Sequence, residues 1–138
     1  MGVIYTAEVT SSGDGRKGRV RSSDGLLDAQ LTSPKEVGGA GDATNPEQLF
    51  AAGWAACFHS ALRMSARESK VVLNGDEVTA HVALNKGDSG FHLSAVIVVE
   101  LPGLGVEVAH RLAADAHSRC PYSKAVSGNI GVEVTVKV

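Results

Sequence analysis

The sequence predicts an α+β fold, with antiparallel sheet packed around two helices in the order βββ-α-ββ-α-β. Three observations point there. Residues 44–66 read as one long apolar helix with a cysteine near its centre. Runs rich in Val, Ile and Thr lie on both sides of that helix, and Gly, Pro and Asp-Gly turn signals separate them. At 138 residues the chain is the size of one ordinary domain, and a single domain over 1–138 is expected.

Taken in order, residues 3–10 are β-branched and aromatic and read as a first strand. A Gly-rich turn at 13–18 returns the chain into a second strand at 19–22. Asp24-Gly25 then forms a two-residue turn, across which Leu26 to Leu31 pairs back as a third strand. The stretch 33–43 carries Pro, Gly and mixed charge and reads as a loop.

The helix that follows has a well-marked start. Asn45 is a good N-cap, Pro46 suits the first helical position, and Gln48 stands where a capping-box partner reaches back. From Leu49 to Phe58 every residue is apolar or small, which marks a core helix without a polar face, and Gly53 admits the close approach of another backbone. Beyond its end near Ser69, 78–84 and 91–101 read as strands. Residues 105–119 place Ala109, Leu112, Ala113, Ala116 and Cys120 at helical spacing, with Pro121 as a stop. Ile130 to Val138 alternate as a half-buried last strand.

Composition narrows the function classes. A net charge of −2 offers no footprint for nucleic acid or an anionic membrane. The longest apolar run covers about ten residues, half of a membrane span, and no secretory signal pattern opens the chain, so a cytoplasmic location is expected. Met1-Gly2 with Thr6 formally matches a myristoylation pattern, although the segment reads more simply as strand. Two cysteines in a reducing compartment are a poor permanent staple and a good working pair.

A cysteine in an apolar helix is more often a small core residue than a nucleophile. Here, however, a second thiol ends the second core helix, in His117-Ser118-Arg119-Cys120-Pro121-Tyr122, so that both thiols lie on elements expected to pack together. Cys120 lies at a helix C-terminus, where negative partial charge disfavours a thiolate, which favours Cys57 over Cys120 as the attacking thiol. Apolar burial raises a thiol's pKa, so a nucleophilic Cys57 needs a cation. Arg16, in Gly13-Asp14-Gly15-Arg16-Lys17-Gly18, is the candidate. Glu47 lies about 15 Å from Cys57 along a straight helix, so its contribution would be to orient Arg16, in a site that assembly across a subunit interface would ease. A Cys-His nucleophile pair would need His59, His81, His92, His110 or His117 to fold onto Cys57. His117 and Cys120 could share an ion, but further ligands at zinc spacing are lacking, and no metal is expected.

Residues 45–58, Asn-Pro-Glu-Gln-Leu-Phe-Ala-Ala-Gly-Trp-Ala-Ala-Cys-Phe, and 120–125, Cys-Pro-Tyr-Ser-Lys-Ala, with Gly128-Asn129-Ile130 following, closely resemble the organic hydroperoxide resistance proteins, one branch of the OsmC-like superfamily. The likeness extends to Ser22-Ser23-Asp24-Gly25 and Leu101-Pro102-Gly103-Leu104. It implies an intertwined homodimer with antiparallel sheets wrapped around two central helices. It further implies a thiol peroxidase in which Cys57 matches the peroxidatic cysteine, Cys120 the resolving cysteine, and Arg16 and Glu47 the pair that activates the thiolate. The implied substrates are organic hydroperoxides, fatty-acid ones included. The implied reductant is a lipoyl dithiol, dihydrolipoamide or a lipoylated protein, with no bound cofactor. Trp54 stands where tyrosine is common and Lys124 where asparagine is common. Two other readings remain: an enzyme of the OsmC branch proper with a different substrate preference, and a redox sensor that uses the thiol pair only as a switch.

Overall fold

The computed structural model describes residues 2–138, so that Met1, the first residue of the Met1-Gly2 pattern, lies outside the described residues. The chain forms two compact units, 1–49 and 50–138.

In the first unit, β1 (Val9–Ser12), β2 (Arg19–Ser22) and β3 (Asp28–Gln30) form an antiparallel sheet in that order. The expected first strand is shifted: pairing begins at Val9, which opposes Ser22, where β2 ends. Among the described residues no strand pairs with 3–7, and Val3, Ile4 and Tyr5 stand exposed. The turn around Asp24-Gly25 is also wider than two residues, closed by the Ser22 N–H donating to the Leu27 carbonyl at 2.8 Å. Asp24 Oδ1 accepts from the Ser22 hydroxyl and the Leu26 amide, an Asx turn that leaves Leu26 outside the sheet.

The helix α1 (Pro46–Glu68) starts where the sequence places it. The Gln48 amide donates to Asn45 Oδ1 at 2.9 Å, the N-cap bond. The capping box does not close, because the Gln48 side chain accepts instead from the Thr44 hydroxyl at 2.6 Å.

The second unit pairs β4 (Glu77–Gly87) with β5 (Gly90–Glu100) as a tight hairpin and adds β6 (Val132–Lys137) on the far side of β5. The expectation of wholly antiparallel sheet fails here, because β6 runs parallel to β5. Parallel neighbours need a long crossover, and the chain supplies it through α2 (Val106–Arg119) and α3 (Pro121–Val126). The third helix was not expected. Pro121 ends α2 as read but also occupies the first position of α3, where its missing N–H costs nothing.

One face of β5, Ala95, Ile97 and Val99, packs with Leu101 against Trp54, Phe58, Leu62 and Ala66 of α1 and Ala109, Leu112, Ala113 and Ala116 of α2. Each large side chain so buried contributes roughly 2 kcal/mol. The helix α1 is not buried all round as its composition suggests: Trp54, Phe58, Ala61, Leu62, Ser65 and Ala66 form the inner face, while Ala52 and Ala56 are exposed.

Candidate active site

The only two cysteines of the chain are brought together as free thiols. Cys57 is half-buried on α1 and Cys120 is wholly buried at the joint between α2 and α3. Burial pushes the Cys57 thiol above its ordinary value, and the hydrogen bond and charge of Cys120 push it further; the backbone N–H of Tyr122 pulls the other way. This is the situation read from the sequence, a thiol that needs added positive charge to ionise. Cys120 occupies an unusual place. Its backbone is extended, it closes α2 through its own N–H to the Ala116 carbonyl, and its carbonyl accepts from Lys124 at 2.9 Å to open α3.

Gly53, one turn before Cys57, lies under a side chain and not under another backbone. A Cβ there would stand 3.1 Å from Tyr122 Cε2 and 3.2 Å from its hydroxyl oxygen.

Within the first unit, Arg16 and Glu47 meet. Arg16 sits in a 3-10 turn, Gly15–Lys17, that follows β1. Two glycines make this turn possible: Gly15 has a left-handed φ of 56°, and a Cβ on Gly18 would lie 2.1 Å from the Ser12 carbonyl oxygen. The turn delivers Arg16 Nη1 to both oxygens of Glu47, at 2.7 and 3.0 Å. Glu47 sits in the first turn of α1 and its side chain is 17% exposed against 50% for Arg16. Among the described residues Nε and Nη2 of Arg16 have no hydrogen-bond partner, so the fork keeps donors for a bound oxygen.

Two of the histidines weighed from the sequence, His59 and His117, have other partners. His59 Nε2 lies 2.6 Å from Asp76 Oδ2, and Arg63 holds the same buried carboxylate at 2.6 and 2.9 Å. Chiefly through the Arg63 hydrogen bond, and then that of His59, the Asp76 carboxyl is held well below the usual carboxylate range. His117 Nδ1 is 3.0 Å from Ser123 Oγ and its ring lies beside Phe58. Ser123 also accepts from the indole N–H of Trp54 at 3.1 Å, and both are buried. Sequence reasoning missed Ser123 and Asp76. No periodicity links either to its partners, which come from other elements. Among the described residues no cluster of three or more His, Cys, Asp or Glu forms a metal site.

Comparison with known proteins places this architecture. Residues 39–135 match the OsmC-like protein family. The chain is 45% identical over 136 residues to an organic hydroperoxide resistance protein of Xanthomonas axonopodis pv. citri, covering 97% of this chain and 95% of the relative. A crystal structure of an organic hydroperoxide resistance protein OsmC from Legionella pneumophila superposes with a TM-score of 0.94 at 44% identity, covering 99% of this chain and 100% of that one. The crystal structure of OhrB of Bacillus subtilis gives 0.88 at 42% identity, covering 98% and 100%. With a family match across most of its length and relatives of this identity at near-complete coverage, the chain belongs to the organic hydroperoxide resistance branch of the OsmC-like family.

Proposed function

We propose that this protein is a thiol-dependent peroxidase that reduces organic hydroperoxides, fatty-acid ones included, to alcohols. The observation that carries the reading is the pair of neighbouring free thiols, Cys57 half-exposed and Cys120 buried behind it. Cys57 is the peroxidatic residue. Its thiolate attacks the terminal oxygen of the hydroperoxide, the O–O bond breaks, and the alkoxide takes a proton to leave as the alcohol. Cys57 is left as a sulfenic acid. The Cys120 thiol captures that sulfur, forming a disulfide and releasing water. A dithiol then reopens the bond by exchange and becomes a disulfide itself.

Arg16 supplies the positive charge that a thiol raised by burial requires, and Glu47 orients Arg16. The reductant is dihydrolipoamide or a lipoylated protein, the working compartment is the cytoplasm, and the active form is a homodimer. Support for a dimer comes from the exposed apolar residues Val3, Ile4 and Tyr5, which lack a partner strand, and from the exposed small-residue side of α1.

The test is steady-state consumption of cumene hydroperoxide and, separately, of hydrogen peroxide, with dihydrolipoamide as sole reductant and Cys57→Ser as control. Turnover of the organic peroxide that vanishes in the control supports the reading. A preference for hydrogen peroxide would overturn the assignment of organic hydroperoxides as the substrate. Disulfide formation without turnover would make the thiol pair a sensor, and no oxidation at all would return Cys57 to a core residue.

A further inference from the structure

A polar chain, buried at Trp54 and Ser123 and part-buried at His117, adjoins the joint that carries Cys120. The indole Nε1–H of Trp54 on α1 donates to Ser123 Oγ at 3.1 Å, and Ser123 Oγ lies 3.0 Å from Nδ1 of His117 on α2. Ser123 is 3% exposed and Trp54 0%. An indole is a donor only, so the serine hydroxyl accepts from Trp54, and it keeps both a proton and a second lone pair with which to meet His117 Nδ1. Ser123 thus ties the indole of α1 and the imidazole of α2 to one hydroxyl, a network that fixes their relative positions.

The spacing of these residues ties the chain to the thiols. Trp54 precedes Cys57 by three positions on α1, His117 precedes Cys120 by three on α2, and Ser123 follows Cys120 by three on α3. Residues three apart are neighbours along a helix. Cys120 itself is extended backbone between two helices, and the Ser123 hydroxyl fastens the start of α3 to both α1 and α2.

We propose that Ser123 is a positioning residue for resolution, the pin that holds Cys120 where its sulfur meets that of Cys57; this rests on the peroxidase reading above. In the step it serves, the Cys120 sulfur supplies the electron pair of the new S–S bond. The S–O bond of the Cys57 sulfenic acid breaks, and the departing hydroxyl leaves with the Cys120 proton as water. The oxidant is the organic hydroperoxide already consumed. Disulfide geometry is narrow, with Cβ atoms about 3.5–4.5 Å apart. A misplaced Cys120 therefore loses to a second hydroperoxide, which carries the sulfenic acid on to sulfinic acid.

The test is the ratio of sulfinic acid to disulfide after a pulse of cumene hydroperoxide at one fixed excess, read by intact mass in wild type, Ser123→Ala and Trp54→Phe. The ratio is set after the sulfenic acid forms, so neither a smaller folded fraction nor a slower first step moves it. Ser123→Ala removes both hydrogen bonds and should raise it by at least about fivefold, the factor that a single lost hydrogen bond of about 1 kcal/mol carries. Trp54→Phe, which keeps a ring and removes the N–H, should raise it in the same direction, and decides the matter alone if Ser123→Ala does not fold. Wild-type ratios in the folded variants overturn the pin and leave the peroxidase standing. No disulfide in the wild-type protein overturns both.

Discussion

Arg16 Nη1 stands 2.7 Å from Oε1 and 3.0 Å from Oε2 of Glu47, so that one nitrogen of the guanidinium is held while the rest of the fork stays available. Replacing Arg16 with Ala should lower the peroxidase rate about a hundredfold, the scale seen when a single aimed electrostatic donor is removed. The fold should survive, because an ion pair whose cation is half-exposed contributes less than about 1 kcal/mol. Glu47→Gln should cost less activity than Arg16→Ala, since it loosens the cation without removing it. Steady-state rates with thermal melts of the same samples check both, and a near-normal rate in Arg16→Ala would remove that residue from the mechanism.

The raised Cys57 pKa carries a pH dependence of definite sign. Because the thiolate is the nucleophile, the rate of oxidation rises with pH through the pKa of Cys57. Loss of the Arg16 charge should move that rise to higher pH, whereas Cys120→Ala, which removes a group that raises the Cys57 pKa, should move it lower. Ultraviolet absorbance of the thiolate against pH measures both directions.

Cys120→Ser should allow one turnover and then inactivation. With no thiol to capture the sulfenic acid, further hydroperoxide takes Cys57 to sulfinic acid, which a dithiol does not reverse. Sustained dithiol-driven cycling of this variant would sink the role given to Cys120.

Asp76 offers a test of the fold away from the chemistry. Its carboxyl is depressed by hydrogen bonds from Arg63 and His59, so the charged form is the one the folded state favours. That stability is present above the unfolded value of about 3.9 and fades as pH falls toward the lower folded value. Asp76→Asn should therefore cost about 2 kcal/mol near pH 7. The gap from wild type should shrink as pH falls below about 5. Urea midpoints at several pH values give the answer, and a gap independent of pH would show that the charge of Asp76 is not what stabilises the native state.

Much of the fold was legible because it is local. Asn45 and Pro46 mark the start of α1 with short-range chemistry, and that helix begins where they place it. The apolar run at 91–101 and the alternation along 130–138 locate β5 and β6 for the same reason, since a strand's length and side-chain period are set by its own residues. What alternation does not encode is the neighbour. The parallel pairing of β6 with β5, the start of β1 only at Val9, and the start of α3 at Pro121 depend on where other segments lie.

The site divides in the same way. Cys57, Cys120, Arg16 and Glu47 were named from residue type, helix position and likeness to a family, with no contact required. That Arg16 reaches Glu47, that the Tyr122 amide bears on Cys57, and that Ser123 joins Trp54 to His117 were decided by tertiary structure alone. Hydrogen bonds between side chains from different elements obey distance and angle in space, and a one-dimensional pattern of residues carries neither.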